Sequence, residues 1–167
     1  FRDLFIRYDQ AGKEIREVRS RCGIGRLELD QGGERAGLPA GSGVDPGAWG
    51  KGYAVDRAVE ILRARGIADA LVDFGSTARG LGAPPGENGW PFEVRDPADP
   101  ERVLCSVRLS DLAISTSGTG ESRVTLGGVA RGHLLDPRTG RPSDREGSVT
   151  VLAGEAMTAD MASTALF

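Results

Sequence analysis

The sequence predicts an α+β fold, a layered domain with a mostly antiparallel sheet and helices packed on it. Three observations carry that expectation. Short apolar runs bounded by Gly, Asp or Pro recur along the chain, one amphipathic stretch with helical spacing interrupts them, and an Ala-rich stretch closes the chain. With 167 residues, 39% of them hydrophobic and 27% charged, the chain suits a single domain that buries about 70% of its unfolded surface without disulfides.

The stretches "DLFIRY" and "GRLELD" read as strands separated by a polar turn near Gly12, and the Gly-rich "QGGERAGLPAGSG" reads as a loop. In "AVDRAVEILRARG" the residues Ala54, Ala58, Ile61 and Leu62 recur at helical spacing, and Gly66 stands where a C-terminal cap belongs. A helix packed on the sheet is expected there. "DALVDFG" reads as a buried strand, and "WPFEVRD", "RVLCSVRLS", "LAISTSG", "ESRVTLG" and "GSVTVLAG" as further short strands. "MTADMASTALF" reads as a helix beginning near Thr158. No internal repeat is visible.

Composition narrows the function. The formal net charge is -3 and the arginines are scattered, which argues against a nucleic-acid partner held by phosphate neutralisation. Cys22 and Cys105 are isolated, and with His133 as the only histidine they cannot supply the ligand sets zinc prefers. Spacing leaves their pairing open. No run approaches the roughly 20 apolar residues of a membrane-spanning helix. The opening "FRDLFIRYDQ" lacks both the layout of a signal peptide and an initiating Met, so a processed or truncated product is expected.

Four stretches carry chemistry. "VDPGAWGKGYAVD" brings glycines and Lys51 to a helix start, where unpaired N–H groups and the positive dipole end favour an anion such as a pyrophosphate. It is not a Walker loop, because Asp45 and Gly52 occupy positions that need Gly and Ser or Thr. A plain glycine loop with a solvated lysine is the alternative. Asp160 and Thr164 lie four apart, so on a helix their oxygens share a face and suit Mg2+ or Ca2+. Equally, that Asp could favour the helix dipole while the Thr bonds back to its own helix. "LAISTSGTGES" ends an apolar strand in hydroxyls and glycines, fit for a phosphate, a flavin-like ring or an ordinary turn. In "HLLDPRTG", Pro137 fits the second position of a type I turn and Gly140 can take positive φ; His133 is either a catalytic group held by that turn or an imidazole satisfied by backbone.

Taken together, "DPGAWGKGYAVDRAVEIL", "LVDFGSTARGLG", "AISTSG", "HLLDPRTGRP" and "ADMASTALF" resemble, in order and spacing, the ApbE family of flavin transferases across residues 22–167. The resemblance implies a T-fold-like architecture, of which this chain would cover the C-terminal half. It implies binding of FAD with Mg2+, and transfer of FMN through a phosphoester bond to a Thr or Ser of a partner protein, with release of AMP. The partner would be a redox or respiratory subunit carrying a short Thr-containing motif. The setting would be the periplasm or the extracytoplasmic face of the inner membrane.

Carried over residue by residue, the resemblance puts flavin and pyrophosphate contacts on Lys51, Asp56, Thr116, Ser117 and Gly118. It puts metal ligands on Asp160, Thr164 and the main-chain carbonyl of Ala48, and catalytic roles on His133 and Asp136. Pro46 and Gly50 depart from the family's first motif, and Gly75, Ser76 and Thr77 stand where the family has Gly-Gly-Asp. In the expected mechanism, Mg2+ and Lys51 hold the pyrophosphate while His133, positioned by the Asp-Pro turn, accepts the proton of the attacking hydroxyl. Hydrolysis of FAD to FMN and AMP, or FAD binding without catalysis, are the alternative readings.

Overall fold

The computed structural model describes residues 12–32, 34–119, 123–126, 129–143 and 145–167. The expected strand at "DLFIRY" lies outside the described residues. The chain divides into two compact units, one within Phe1–Asp45 and Arg123–Asp144, the other within Pro46–Ser122 and Arg145–Phe167.

The first unit opens with helix α1 (Gly12–Ser20), a 3-10 turn (Ile24–Arg26) and strands β1 (Glu28–Leu29) and β2 (Ala36–Gly37). The chain then enters the second unit with helix α2 (Gly50–Ala64) and strands β3 (Ala70–Asp73), β4 (Thr77–Leu81), β5 (Trp90–Arg95), β6 (Val103–Leu109) and β7 (Ala113–Gly118). It returns to the first for β8 (Arg123–Leu126), β9 (Val129–Gly132), β10 (Leu135–Asp136) and β11 (Arg141–Pro142). Strand β12 (Ser148–Ala153) and helix α3 (Ala156–Leu166) complete the second unit. Every described strand pair is antiparallel, so the fold is α+β as expected. Among the described residues no helix is long and apolar enough to cross a membrane, and Cys22 and Cys105 are both free and exposed.

The second unit has three layers. Its four-stranded sheet runs in the order β12-β7-β4-β3. Because side chains alternate along a strand, Ala113 of β7 faces Val55 of α2 and Ala156 of α3, while Ile114 faces away, with Ala78 and Leu109, toward the β5–β6 hairpin. Trp90 and Phe92 of that hairpin cover the second cluster. The sheet is thereby buried on both faces, which explains why β7 and β4 are almost wholly buried.

Several expectations need correction. The turn near Gly12 is the start of α1, whose Glu17 pairs at 2.6 Å with Arg21 just past the helix end. Glycine opens that helix rather than breaking a strand. The loop expected at 31–43 contains β2, a two-residue ladder too short to leave a periodic signal. Helix α2 begins at Gly50, ahead of Ala54, because the Trp49 and Gly50 amides already donate to the Pro46 carbonyl at 3.0 and 2.6 Å. Its buried stripe is Gly52, Val55 and Val59, whereas Ile61 is 53% exposed. The "DALVDFG" strand sits at the sheet edge and is only half-buried. At the other end of α2, Gly66 caps the helix as the sequence predicted: it takes φ +77°, its amide donates to the Arg63 carbonyl and the Ile67 amide to that of Leu62, which makes a Schellman closure.

Candidate functional site

The N-terminal ends of α2 and α3 meet, and each is capped by a carboxylate from the other. A helix start leaves amides without intrahelical partners. In α2 the Gly52 amide donates to Asp160 Oδ2 at 2.9 Å. In α3 the Ala156 and Met157 amides donate to Asp56 Oδ1 and Oδ2, both at 2.9 Å. Glycine at position 52 is required by this approach, since the Ala156 main chain occupies the space a side chain would take.

Asp160 is 2% exposed, and among the described residues no cationic side chain pairs with it. Its Oδ1 accepts a long bond from Ser115 Oγ at 3.4 Å, and Ser115 shares a 2.8 Å bond with Thr77 Oγ1. One turn on, Ser163 Oγ donates to the Asp160 carbonyl at 3.0 Å, while Ser117 Oγ lies 2.8 Å from Ser163 Oγ and 3.1 Å from Thr164 Oγ1. The result is a seam of hydroxyls between β7 and α3, running from Asp160 to Thr164. Burying a carboxylate without a cation is costly unless a partner charge arrives.

The donor set fits a small divalent cation. Asp160 and Thr164 supply hard oxygens a helical turn apart. Gly52 would ordinarily donate to the carbonyl four residues back, but its amide is turned to Asp160. Among the described residues no backbone amide donates to the Ala48 carbonyl.

Lys51 Nζ donates to Ser76 Oγ, in the loop between β3 and β4. Asp56 is held by Arg79 Nη1 at 2.5 Å in addition to the two α3 amides. Thr116 and Ser117 point to opposite faces of β7. Thr116 Oγ1 bonds Thr150 Oγ1 across the ladder at 2.9 Å, whereas Ser117 joins the hydroxyl seam. Gly118 packs against Gly147 and Ser148.

His133 and Asp136 belong to the first unit, His133 in the bend between β9 and β10 and Asp136 in the β10–β11 hairpin. Asp136 Oδ1 accepts the Arg138 amide at 2.8 Å and the Asp136 carbonyl accepts the Gly140 amide at 2.7 Å, with Gly140 at φ +70° as the sequence predicted. Asp136 also pairs with the Arg138 side chain; that hydrogen bond first, and the negative charge second, hold the guanidinium pKa above its ordinary value.

Sequence reasoning missed Thr77, Ser115, Ser163 and Arg79. Isolated hydroxyls carry no periodic signal, and Arg79 lies in β4, whose Thr-Ala-Arg-Gly-Leu composition does not read as a strand. A signal was available in "AISTSG", where alternation from the buried Ala113 puts Ser115 and Ser117 on its face.

Fold and donors together define an antiparallel α+β protein with a buried hard-oxygen cluster at a glycine-bearing helix start. The model of the ApbE family matches residues 6–167, and the chain belongs to that family. It is 34% identical over 129 residues to an FAD:protein FMN transferase of Klebsiella pneumoniae, covering 76% of this chain and 39% of that protein. It is 31% identical over 170 residues to the FAD:protein FMN transferase of Treponema pallidum, covering 92% of this chain and 47% of that one. The crystal structure of the ApbE protein from Thermotoga maritima matches with a TM-score of 0.85 at 34% identity, over 93% of this chain and 50% of that chain. The chain thus spans about half, or less, of the length of these proteins.

Proposed function

We propose that this chain serves the magnesium-dependent transfer of FMN from FAD to a Thr or Ser hydroxyl of an acceptor protein, with AMP released. The observation that carries this reading is the buried carboxylate of Asp160 against the start of α2, with the Thr164 hydroxyl one helical turn on, in a chain of the ApbE family. Relatives named FAD:protein FMN transferase support the flavin and the protein acceptor.

The acceptor oxygen attacks the flavin-side phosphorus of FAD. A phosphoester bond forms there, the bond from that phosphorus to the bridging oxygen breaks, and the bridging oxygen leaves with AMP. Mg2+, when bound, would neutralise charge on the pyrophosphate; Asp160, Thr164 and the Ala48 carbonyl are the residues that would hold it. Lys51, at the start of α2, adds a fixed positive charge for the phosphates, with Ser76 steadying its ammonium. His133 accepts the hydroxyl proton on an imidazole nitrogen. Asp136 acts as its positioning residue, since its carboxylate closes the turn that follows His133. Of the strand-end residues, Ser117 stands beside Thr164 on the cation side of β7, while Thr116 turns to the opposite face. The acceptor is a redox or respiratory subunit with a Thr-containing motif.

The His133→Ala variant tests the assignment. FMN transfer, followed by flavin fluorescence of the acceptor on a denaturing gel, is expected to fall by about 100-fold or more, while FAD binding measured by fluorescence quenching stays at the parent level. Transfer at the parent rate in that variant would remove His133 from the mechanism.

A further inference from the structure

The mutual capping of α2 and α3 gives Asp56 a second part to play. Glu155, the residue preceding α3, is extended at φ -125° and ψ 140° and makes no side-chain capping bond of its own. The cap comes instead from Asp56, 100 residues away, with Oδ1 on the Ala156 amide and Oδ2 on the Met157 amide. Arg79 on the central strand β4 donates to the same carboxylate, and the Arg79 and Asp56 side chains are 11% and 13% exposed. Asp56 therefore ties α3 to α2 and to the sheet at one point. Asp160 lies one helical turn beyond Ala156, and Thr164 one turn further.

We propose that Asp56 is a positioning residue for divalent-cation binding: it fixes the N-terminus of α3 against α2, and so sets Asp160, with Thr164 a turn further on, at the start of α2. Both of its oxygens are engaged by main-chain amides, so its influence on a bound ion runs through the helix. Losing the cap frees the first turn of α3. The same movement draws Asp160 away from the Gly52 amide, because the two contacts belong to one helix crossing. This proposal rests on reading Asp160 and Thr164 as metal ligands.

The test uses the full chain and Mn2+ alone, titrated with electron paramagnetic resonance reporting free Mn2+, alongside thermal melting. Four proteins are compared: the parent, Asp160→Ala, Asp56→Ala, and Asp56→Ala combined with Glu155→Ser. The last variant gives α3 a local cap at an extended position that suits one, without restoring the tie to α2. Asp56→Ala is expected to melt lower and to lose about ten- to a hundred-fold in Mn2+ affinity, the usual size for removing an outer support of a metal ligand. Adding Glu155→Ser is expected to recover the melting temperature while the affinity stays low. Recovery of both would overturn the proposal, since the cap would then matter only for helix stability. Parental Mn2+ binding that Asp160→Ala abolishes and Asp56→Ala leaves intact would overturn it too, with the metal reading standing. A parent that binds no Mn2+, indistinguishable from Asp160→Ala, would overturn the metal reading and the proposal together.

Discussion

At Gly52 a Cβ would stand 2.5 Å from the Ala156 carbonyl oxygen and 2.5 Å from the Met157 Cα, both main-chain atoms that a flexible side chain could not relieve. Gly52→Ala should therefore push α2 and α3 apart. The expected cost is about 1–3 kcal/mol, as for other overpacked positions, read as a lower midpoint in urea unfolding, with weaker divalent binding because the Asp160 contact moves with the helix. An unchanged midpoint would mean that the helices part without cost. The sequence made Asp160 and Thr164 legible because a carboxylate and a hydroxyl four apart share a helix face. It marked Gly52 as a glycine at a helix start, standing where a Walker loop needs Ser or Thr. The reason for that glycine is a contact with Ala156 and Met157, far away in sequence, which no local pattern encodes. Ser115 and Ser163 were hidden for the same reason. Each is meaningful only through a neighbour on another element.

At the scale of elements, short apolar runs bounded by Gly, Asp or Pro located β3, β5, β6, β7, β8 and β12, and helical spacing with a closing glycine located the C-terminal end of α2. Gly66→Ala forces a side chain into the left-handed region at φ +77° and should destabilise the protein by about 1–2 kcal/mol, which differential scanning calorimetry would register. A stability equal to the parent would show that the Schellman closure is dispensable. Strand β4 escaped detection although it is central, because Thr77, Arg79 and Gly80 replace the β-branched apolar residues such a strand usually carries. Those substitutions have structural reasons. Thr77 bonds Ser115, Arg79 holds Asp56, and Gly80 lets the Leu109 main chain approach. The start of α3 was placed two residues late, at Thr158, since its cap is supplied by α2 rather than by a neighbouring Ser, Thr or Asp.

At the scale of the whole molecule, fold class was readable from the succession of short strands and two helices, and family from ordered motifs that composition alone does not distinguish. The two compact units divide the expected residues. Lys51, Asp56, Thr116, Ser117, Gly118, Asp160, Thr164 and Ala48 belong to one, His133 and Asp136 to the other. That division could not be seen in advance, because the first unit is assembled from two stretches separated by the whole strand-rich middle of the chain. The most direct test of the proposed function is intact-mass spectrometry of an acceptor domain bearing a Thr-containing flavinylation motif, incubated with this protein, FAD and Mg2+, with a chelator control. The account predicts an acceptor heavier by one FMN phosphoester, AMP in matching amount, and loss of both on chelation. An unmodified acceptor under the same conditions, with or without AMP, would contradict it.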